Sequence, residues 1–261
     1  MIKEQIDSFH LEDIKNDLHP SVFFKNDNYD LFILRIPQLC EGQVVFTSKA
    51  FVMTNESYYY YNKDEGKFVD LTNFRGFYKV LDKYIDATLK MILKYLDEIE
   101  TIEDLFNEGK SVKDFNHQWF SYKNDSVKTN RILFKAVETL ADLIFIYKQE
   151  DDYLEQHFED IQEHLQRAYR NSGLLLEKLD ALKTFNMTKN NEQMNQTIYI
   201  LTLLSGIFLP LNLIVGFFGM NTTSLPFTVG DGGTYNVITL LILTAVVTSF
   251  LTIIYKNLKN D

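Results

Sequence analysis

The last quarter of the chain contains two long stretches without a charged residue. The first runs from Thr197 to Phe218 and the second from Asn236 to Tyr255. Each has about 20 residues, which as a helix is enough to cross roughly 30 Å of hydrocarbon. The sequence therefore predicts two membrane-spanning helices joined by a short loop.

Charge separates this uncharged end from the front of the chain. Beyond Met194 there are only two basic and two acidic residues, so the whole net charge of −10 belongs to residues 1–194. An acidic domain disfavours nucleic acid as a partner, because phosphate is bound by Lys and Arg surfaces. It suits cation binding, although a solvated acidic surface is the more common explanation.

Lysines around the two stretches predict the orientation in the membrane. Lys183 and Lys189 precede the first stretch, and Lys256 and Lys259 follow the second, whereas the loop 219–235 contains no Lys or Arg. Positive residues favour the cytoplasmic side. We therefore expect a multi-pass protein of the inner (plasma) membrane with both termini in the cytoplasm.

The spacing of hydrophobic residues divides the front of the chain into a strand-rich part and a helical part. Residues 1–72 contain short β-branched and aromatic runs separated by turn formers such as Pro37, and predict a small mixed sheet. The predicted strands lie at 22–24, 31–36, 44–47, 50–54, 58–61 and 67–70. From residue 73 to 150 the period becomes helical, with a second helix at 112–148.

A long stalk helix is predicted at 151–196, continuous with the first span at 197–218. The extracytoplasmic loop 219–235, the second span 236–255 and a basic tail 256–261 follow. The predicted fold class is thus an α/β cytoplasmic domain with a long stalk helix and two C-terminal transmembrane helices.

One face of the first span carries an unusual stripe of small and polar residues. Its members are spaced alternately by three and four positions, the period of a seam between helices that wind around a common axis: Asn195, Ile198, Thr202, Ser205, Leu209, Asn212, Gly216 and Gly219. Small residues on such a face allow close helix packing. Alternatively, the stripe lines a water-filled pore shared by several subunits.

The C-terminal hairpin resembles the CorA family of divalent-cation transporters. The residues that carry the resemblance end the first span and occur within it: Met194-Asn195, Leu201-Thr202, Ile207 to Leu211, and Gly216 to Asn221 with the motif Gly219-Met220-Asn221. The acidic front and the long stalk helix also resemble the family, though less specifically.

The resemblance implies a funnel-shaped homopentamer in which the first span lines the pore. Gly219, Met220 and Asn221 would then form an ion-selective outer mouth. The conduit would be lined by Gly216, Asn212, Ser205, Thr202 and, at its cytoplasmic end, Asn195. Ile198, Leu201 and Leu209 would form the apolar constriction.

The expected function is passive flux of a largely hydrated divalent cation, gated by the stalk helices. Mg²⁺ keeps several of its waters when bound, and neutral oxygens select a hydrated ion without trapping it. Mg²⁺ is the leading candidate, with Co²⁺ and Ni²⁺ as further ions. The loop after the motif lacks the acidic residues of many magnesium transporters, so a Zn²⁺ or other transition-metal transporter is the alternative.

Other classes of protein fit less well. A two-span membrane sensor should carry a recognisable signalling module, and an enzyme should carry a catalytic constellation; the sequence shows neither. No cofactor is expected beyond the divalent cation, as transported and regulatory ion. The expected partners are further copies of the chain, membrane lipid and divalent cations.

A second candidate site lies on the stalk helix. His157, Asp160 and His164 are spaced so that they share one helix face, where imidazole and carboxylate groups can bind a metal. A solvated helix face explains the same pattern. The family resemblance also implies that acidic clusters between residues 97 and 104 and at 150–152 hold regulatory cations between subunits.

Overall fold

The computed structural model describes residues 2–150, 153–220, 225–226 and 232–260, which divide into two units, Met1–Thr184 and Phe185–Asp261. The first unit contains a five-stranded sheet and helices α1 (Ser8–Lys15), α2 (Phe74–Asn107) and α3 (Phe115–Tyr147). Helix α4 (Glu155–Phe218) belongs to both units, and α5 (Gly233–Asn260) belongs to the second.

The sheet is an antiparallel meander whose spatial order follows the chain. Its strands are β1 (Val22–Phe24), β2 (Asp30–Cys40), β3 (Gln43–Met53), β4 (Tyr58–Asn62) and β5 (Lys67–Asp70). The prediction of a mixed sheet is therefore wrong. Short turns join every neighbouring pair, and a parallel pair would need a crossover connection of a dozen or more residues.

The prediction of two strands at 44–47 and 50–54 is also wrong, because β3 runs through both. Ser48 lies buried in the middle of β3. Its hydroxyl donates to the backbone carbonyls of Asp17 (3.0 Å) and His19 (2.6 Å). The segment after α1 thus accepts the hydrogen bond of the buried Ser48 hydroxyl. Without that acceptor a buried serine would disfavour the strand.

Pro37, a predicted turn residue, lies inside β2 opposite Phe46 of β3. Strand β1 pairs only with Leu31–Ile33, so β2 has one neighbour at this point, and the missing N–H of a proline is tolerated at such an edge. The carbonyl of Pro37 accepts a hydrogen bond of 3.0 Å from the hydroxyl of Thr88 on α2. This bond ties the sheet to the helices.

Alternating side chains of β2 and β3 point to opposite faces of the sheet. One face packs beneath α1 and carries Leu31, Ile33, Ala50 and Val52. The other packs against α2, α3 and the start of α4 and carries Phe32, Leu34, Ile36, Phe51 and Met53. Helix α1 was not predicted, because eight residues that bury only His10 and Ile14 give a weak periodic signal.

Local contacts fix where α2 begins. The side chain of Asn73 caps the helix by accepting a hydrogen bond of 3.0 Å from the backbone N–H of Gly76. A Cβ atom at Gly76 would lie 2.1 Å from the carbonyl oxygen of Leu71, so only glycine fits there. Helix α3 begins three residues later than predicted, at Phe115.

A third apolar core holds the three long helices together away from the sheet. It contains Leu96, Ile99 and Phe106 of α2, Phe115 of α3, and Leu175, Leu179 and Leu182 of α4. Burial of a side chain of this kind stabilises a fold by about 1.5–3 kcal/mol. Helix α4 is therefore firmly packed as far as Leu182.

Helix α4 begins at Glu155, and residues 151–152 of the predicted stalk lie outside the described residues. The helix continues without interruption through Pro210 to Phe218. Helices α4 and α5 are both long and apolar enough to cross a membrane, and none of their most apolar 18-residue windows is buried. Helices with so much unburied apolar surface differ from the core helices of a soluble domain.

Candidate ion pathway and cation site

The stripe residues from Asn195 to Gly216 all lie on α4, and every one is exposed. At 3.6 residues per turn they occupy a sector of the helix surface about 100° wide. The half-buried residues of the same segment fall on the opposite side of the helix: Tyr199, Leu203, Ile207, Pro210, Leu211, Ile214 and Phe218. The polar stripe therefore faces away from the more shielded side of α4.

Most polar side chains of the stripe have no hydrogen-bond partner in the part of the chain that the structure describes. The hydroxyl of Thr202 donates to the carbonyl of Ile198 (2.8 Å). The side chains of Asn195, Ser205 and Asn212, in contrast, make no hydrogen bond to the described part of the chain. An unpaired amide in hydrocarbon is costly, so these groups require water or another subunit.

The apolar members expected at the constriction are also unburied. Ile198, Leu201 and Leu209 are 52%, 57% and 74% exposed. A Cβ atom at Gly216 would meet nothing within 4 Å apart from its chain neighbours and the backbone of the adjacent turns of α4. In a single chain, nothing among the described residues covers this side of α4 closely.

The predicted outer mouth is described in part. The N–H of Gly219 donates to the carbonyl of Val215 (2.8 Å), and that of Met220 donates to the carbonyl of Phe217 (3.4 Å). Gly219 and Met220 thus continue from the last turn of α4. Asn221, the third residue of the motif, lies outside the described residues.

A cluster of three carboxylates and one imidazole connects α2 with α4. Asp82, Asp160 and His164 each place a ligand atom within 4.8 Å of the others. The Nδ1 atom of His164 lies 2.9 Å from the carboxylate of Asp86, and its Nε2 atom lies 3.6 Å from that of Asp160. Oxygen and nitrogen ligands at these separations can be bridged by a divalent cation that keeps some of its waters.

The electrostatics of the cluster favour an added positive charge. Burial raises the pKa of Asp82 above its ordinary value, and the nearby carboxylates of Asp86 and Asp160 raise it further. The imidazoles of His164 and His157 act in the opposite direction and lower that pKa. Burial, followed by the same three carboxylates, raises the pKa of Tyr78.

Of the three stalk residues expected from sequence, the structure brings Asp160 and His164 together. His157 instead packs its ring edge-on against Tyr78, with the centroids 4.9 Å apart. Sequence reasoning missed Asp82 and Asp86. Their spacing of four residues places both on one face of α2. That spacing could have indicated a pair of metal ligands, but it is too common among helical carboxylates to be distinctive.

Three of the five acidic residues between 97 and 104 have side-chain partners within the chain. Glu98 accepts a hydrogen bond from the hydroxyl of Tyr122 (2.8 Å) and lies 3.7 Å from the ammonium of Lys94. Glu100 and Glu103 both contact Lys178 of α4, at 3.4 and 2.9 Å. A metal ion at any of these three carboxylates would have to displace the partner that the side chain already has.

One family of proteins combines the features described above: two apolar C-terminal helices, a polar stripe on the first of them, and a packed α/β front. Residues 5–256 match the model of the family described as CorA-like Mg²⁺ transporter protein. The chain belongs to this CorA-like family. It is a family of transporters rather than enzymes, and the two helices of this chain that are long and apolar enough to cross a membrane are consistent with it.

Two curated relatives of this CorA-like chain are described as metal transporters. The divalent cation transporter CmaX of Pseudomonas aeruginosa is 23% identical over 144 residues, which are 54% of this chain and 43% of CmaX. The cobalt/magnesium transport protein CorA of Thermotoga maritima is 23% identical over 155 residues, 57% of this chain and 42% of that protein. The chain thus spans less than half the length of these relatives.

Solved structures share the fold of the CorA-like chain over nearly all of its length. The complete CorA magnesium transporter from Methanocaldococcus jannaschii superimposes with a TM-score of 0.77 at 18% identity, over 96% of this chain and 84% of that one. Full-length CmaX superimposes with a TM-score of 0.72 at 17% identity, over 97% and 82%. These likenesses support the fold class with its sheet, long helix and C-terminal apolar helices.

Proposed function

We propose that the chain assembles as a homopentamer that conducts divalent cations passively across the membrane. The stripe on α4 is the observation that carries the proposal. It combines a seam-like period, amide and hydroxyl groups without a hydrogen-bond partner among the described residues, and a position opposite the half-buried side of the helix. Five such stripes around a common axis would surround a narrow polar conduit.

The chemistry of the conduit suits a hydrated ion. Asn195, Ser205 and Asn212 offer neutral oxygens, which contact the water shell of Mg²⁺ without the tight binding of a carboxylate ring. Asn221 would present a ring of amide oxygens at the outer mouth. With both termini in the cytoplasm, an inside-negative potential supplies roughly 4.6 kcal/mol per divalent ion at 100 mV, so transport needs no nucleotide hydrolysis.

The cluster of Asp82, Asp86, Asp160 and His164 is proposed as a regulatory cation site of the same protein. The short distances among its ligand atoms and the raised pKa of Asp82 support a bound cation in preference to a merely solvated helix face. An ion there would link α2 to α4, the helix that carries the stripe. Cation binding outside the conduit would in this way influence the gate.

Flux through purified protein in liposomes tests the transport proposal. Initial uptake of Mg²⁺, Co²⁺, Ni²⁺ and Zn²⁺ is compared for the wild type, Asn221→Ala and Asn212→Leu. Val215→Leu is the matched control, because Val215 is exposed on α4 away from both the stripe and the half-buried side. We expect both asparagine variants to lose at least about tenfold in uptake and the control to behave as the wild type.

Two results would contradict the proposal. One is wild-type Mg²⁺ uptake in both asparagine variants, which would remove the stripe and the motif from the pathway. The other is a monomer in detergent and in liposomes, since one copy of α4 cannot enclose a conduit. Uptake of Zn²⁺ in place of Mg²⁺ would support the proposed channel and contradict Mg²⁺ as the transported ion.

A further inference from the structure

A cavity at one end of the sheet has no part in the proposed ion pathway. Its volume is about 790 Å³, and it lies between the β1–β2 turn, the β3–β4 turn, the residues before α2 and the end of α3. All of its described lining residues belong to the first unit. Pockets that hold small molecules have volumes of about 300–1,000 Å³, so the cavity has the size of a ligand site.

Asp30, the first residue of β2, is the most buried acidic residue of the lining, with 9% of its surface exposed. Its carboxylate accepts one hydrogen bond from the backbone N–H of Asn26 (3.2 Å) and one from the hydroxyl of Tyr147 (2.8 Å). Burial, followed by the charge of Asp30, raises the pKa of Tyr147, so that hydroxyl keeps its proton.

Both groups that donate to Asp30 are neutral. Among the described residues, no basic side chain pairs with this carboxylate. Buried charges in proteins are normally balanced by an opposite charge. A carboxylate has about four lone-pair sites, and two of them remain for a positively charged donor that enters the cavity.

The other charges around the cavity favour the same kind of ligand. Asp27, Glu56 and Glu150 also line it and are exposed, whereas Lys25 is the single basic residue of the described lining. A cleft lined mainly by one sign of charge concentrates ligands of the opposite sign. The ligand that fits this cavity is therefore a cation.

Aromatic and apolar side chains form the rest of the lining. Tyr58 and Tyr147 both pack against Phe74, with ring centroids 5.4 and 5.5 Å from it, and these contacts fix their rings. Met53 and Ile146 add apolar surface. Aromatic rings attract ammonium groups, and apolar side chains pack against methylene groups.

The turn that carries Glu56 is held in place by its own hydrogen bonds. The N–H of Thr54 donates to the carbonyl of Ser57 (3.0 Å), and the N–H of Ser57 donates to the hydroxyl oxygen of Thr54 (3.1 Å). A site that is already ordered costs less to occupy. This side of the cavity is therefore formed before a ligand binds.

A bare metal ion suits the cavity less well than an organic cation. Divalent ions need several oxygen ligands that converge to about 2.0–2.6 Å from the ion. In the described part of the chain, the close group of three acidic or histidine ligands is the one around His164, and none of its members lines the cavity. The separated carboxylates instead suit a ligand whose charges are themselves separated.

We propose that this cavity binds a polyamine, an organic cation whose ammonium groups are joined by methylene chains. One ammonium group contacts Asp30 beside the rings of Tyr58 and Tyr147. The methylene chain packs on the apolar lining, and a further ammonium group reaches the exposed carboxylates. This binding is a property of the first unit that goes beyond the proposed transport function.

Isothermal titration calorimetry of spermidine into the purified full chain in detergent tests the proposal. We expect saturable binding in the wild type and a Kd about tenfold weaker in Asp30→Asn, because a charge-assisted hydrogen bond is lost. Glu56→Gln should weaken binding about threefold, since Glu56 is exposed. Asp64→Asn is the matched control, because Asp64 is an exposed carboxylate outside the cavity lining, and it should bind as the wild type does.

Repeating each titration with Mg²⁺ at the spermidine concentration separates the two kinds of cation. Little change in Kd supports the polyamine site, whereas loss of spermidine binding would assign the cavity to metal ions and overturn it. No binding to the wild type, or equal affinity in the wild type and Asp30→Asn, would also overturn it. An equal loss in Asp64→Asn would mean adsorption to an acidic surface and have the same consequence.

Thermal unfolding checks that each variant is folded. If Asp30→Asn does not fold, the double variant Glu56→Gln with Glu150→Gln is compared with the wild type in its place, and equal affinity would again overturn the site. None of these measurements depends on ion flux. A failure of the transport proposal would therefore leave the result of the titration unchanged.

Discussion

Replacing Asp82 by asparagine should reveal whether the cluster on α2 and α4 binds a cation. The ligand atoms of Asp82, Asp160 and His164 lie within 4.8 Å of one another. Two like charges at that separation repel by about 1 kcal/mol in water and by about 3 kcal/mol at an effective dielectric constant of 20. Because the cluster is partly solvated, we expect the lower value, about 1 kcal/mol.

The sign of the effect follows from the pKa of Asp82, which burial and the neighbouring carboxylates raise above the unfolded value. Stability contributed by such a group is present below the unfolded pKa and is lost as pH rises through the folded pKa. At neutral pH without divalent ions, Asp82→Asn should therefore be more stable than the wild type by about 2–4 °C in Tm.

Added Mg²⁺ should reverse that order. An ion at 100 times its Kd stabilises the protein that binds it by about 2.7 kcal/mol, or about 5–10 °C for a unit of this size. Asp82→Asn should show less than half of the wild-type gain at the same concentration. Asp64→Asn, which removes an exposed carboxylate from the turn between β4 and β5, should retain the full gain.

The emission of Trp119, the single tryptophan, reports unfolding of the first unit during a thermal scan in detergent. Each variant is scanned with a chelator and with increasing Mg²⁺. Equal Mg²⁺-dependent gains in the wild type and Asp82→Asn would refute the cation site. If Asp82→Asn had a lower Tm than the wild type in chelator, the repulsion between Asp82 and its neighbouring carboxylates would be refuted.

Two further predictions concern the fold of the first unit. Gly76→Ala should destabilise it by at least about 2 kcal/mol, because the new Cβ would lie 2.1 Å from the carbonyl of Leu71; denaturant unfolding checks this, with Gly173→Ala as a control whose Cβ has room. Hydrogen bonds from Ser57 and the N–H of Thr72 lower the pKa of Asp70, so Asp70→Asn should lower Tm at pH 7. That difference should shrink as pH falls through the depressed folded pKa, and a pH-independent difference would contradict the assignment.

The parts of the molecule that depend on short-range pattern could be predicted from sequence. The two apolar helices follow from the absence of charge, and the stripe follows from spacing along one helix. The same argument places Asp160 and His164 four residues apart on one face of α4. In each case the residues concerned lie within a few turns of the same helix. Helix geometry alone therefore determines which of them share a face.

The parts that depend on contacts between distant segments could not be predicted. Asp82 and Asp86 approach His164 from α2, which begins about 80 residues before α4. The spacing of residues along a single helix does not predict such a contact. Pro37 remains in β2 because β1 ends before reaching it, and Ser48 remains in β3 because the segment after α1 accepts its hydroxyl hydrogen. The geometry of Asn221 lies outside the described residues, and its role stays a prediction.

The exposed segment of α4 from Asn190 to Ile198 has a consequence for the newly made subunit. It is rich in asparagine, a poorer helix former than alanine or leucine, and an isolated helical turn in water is marginally stable. In a subunit outside the proposed homopentamer, this segment would fray and expose its backbone to proteases. If the chain assembles as proposed, complete oligomers would then be protected and single subunits would be degraded.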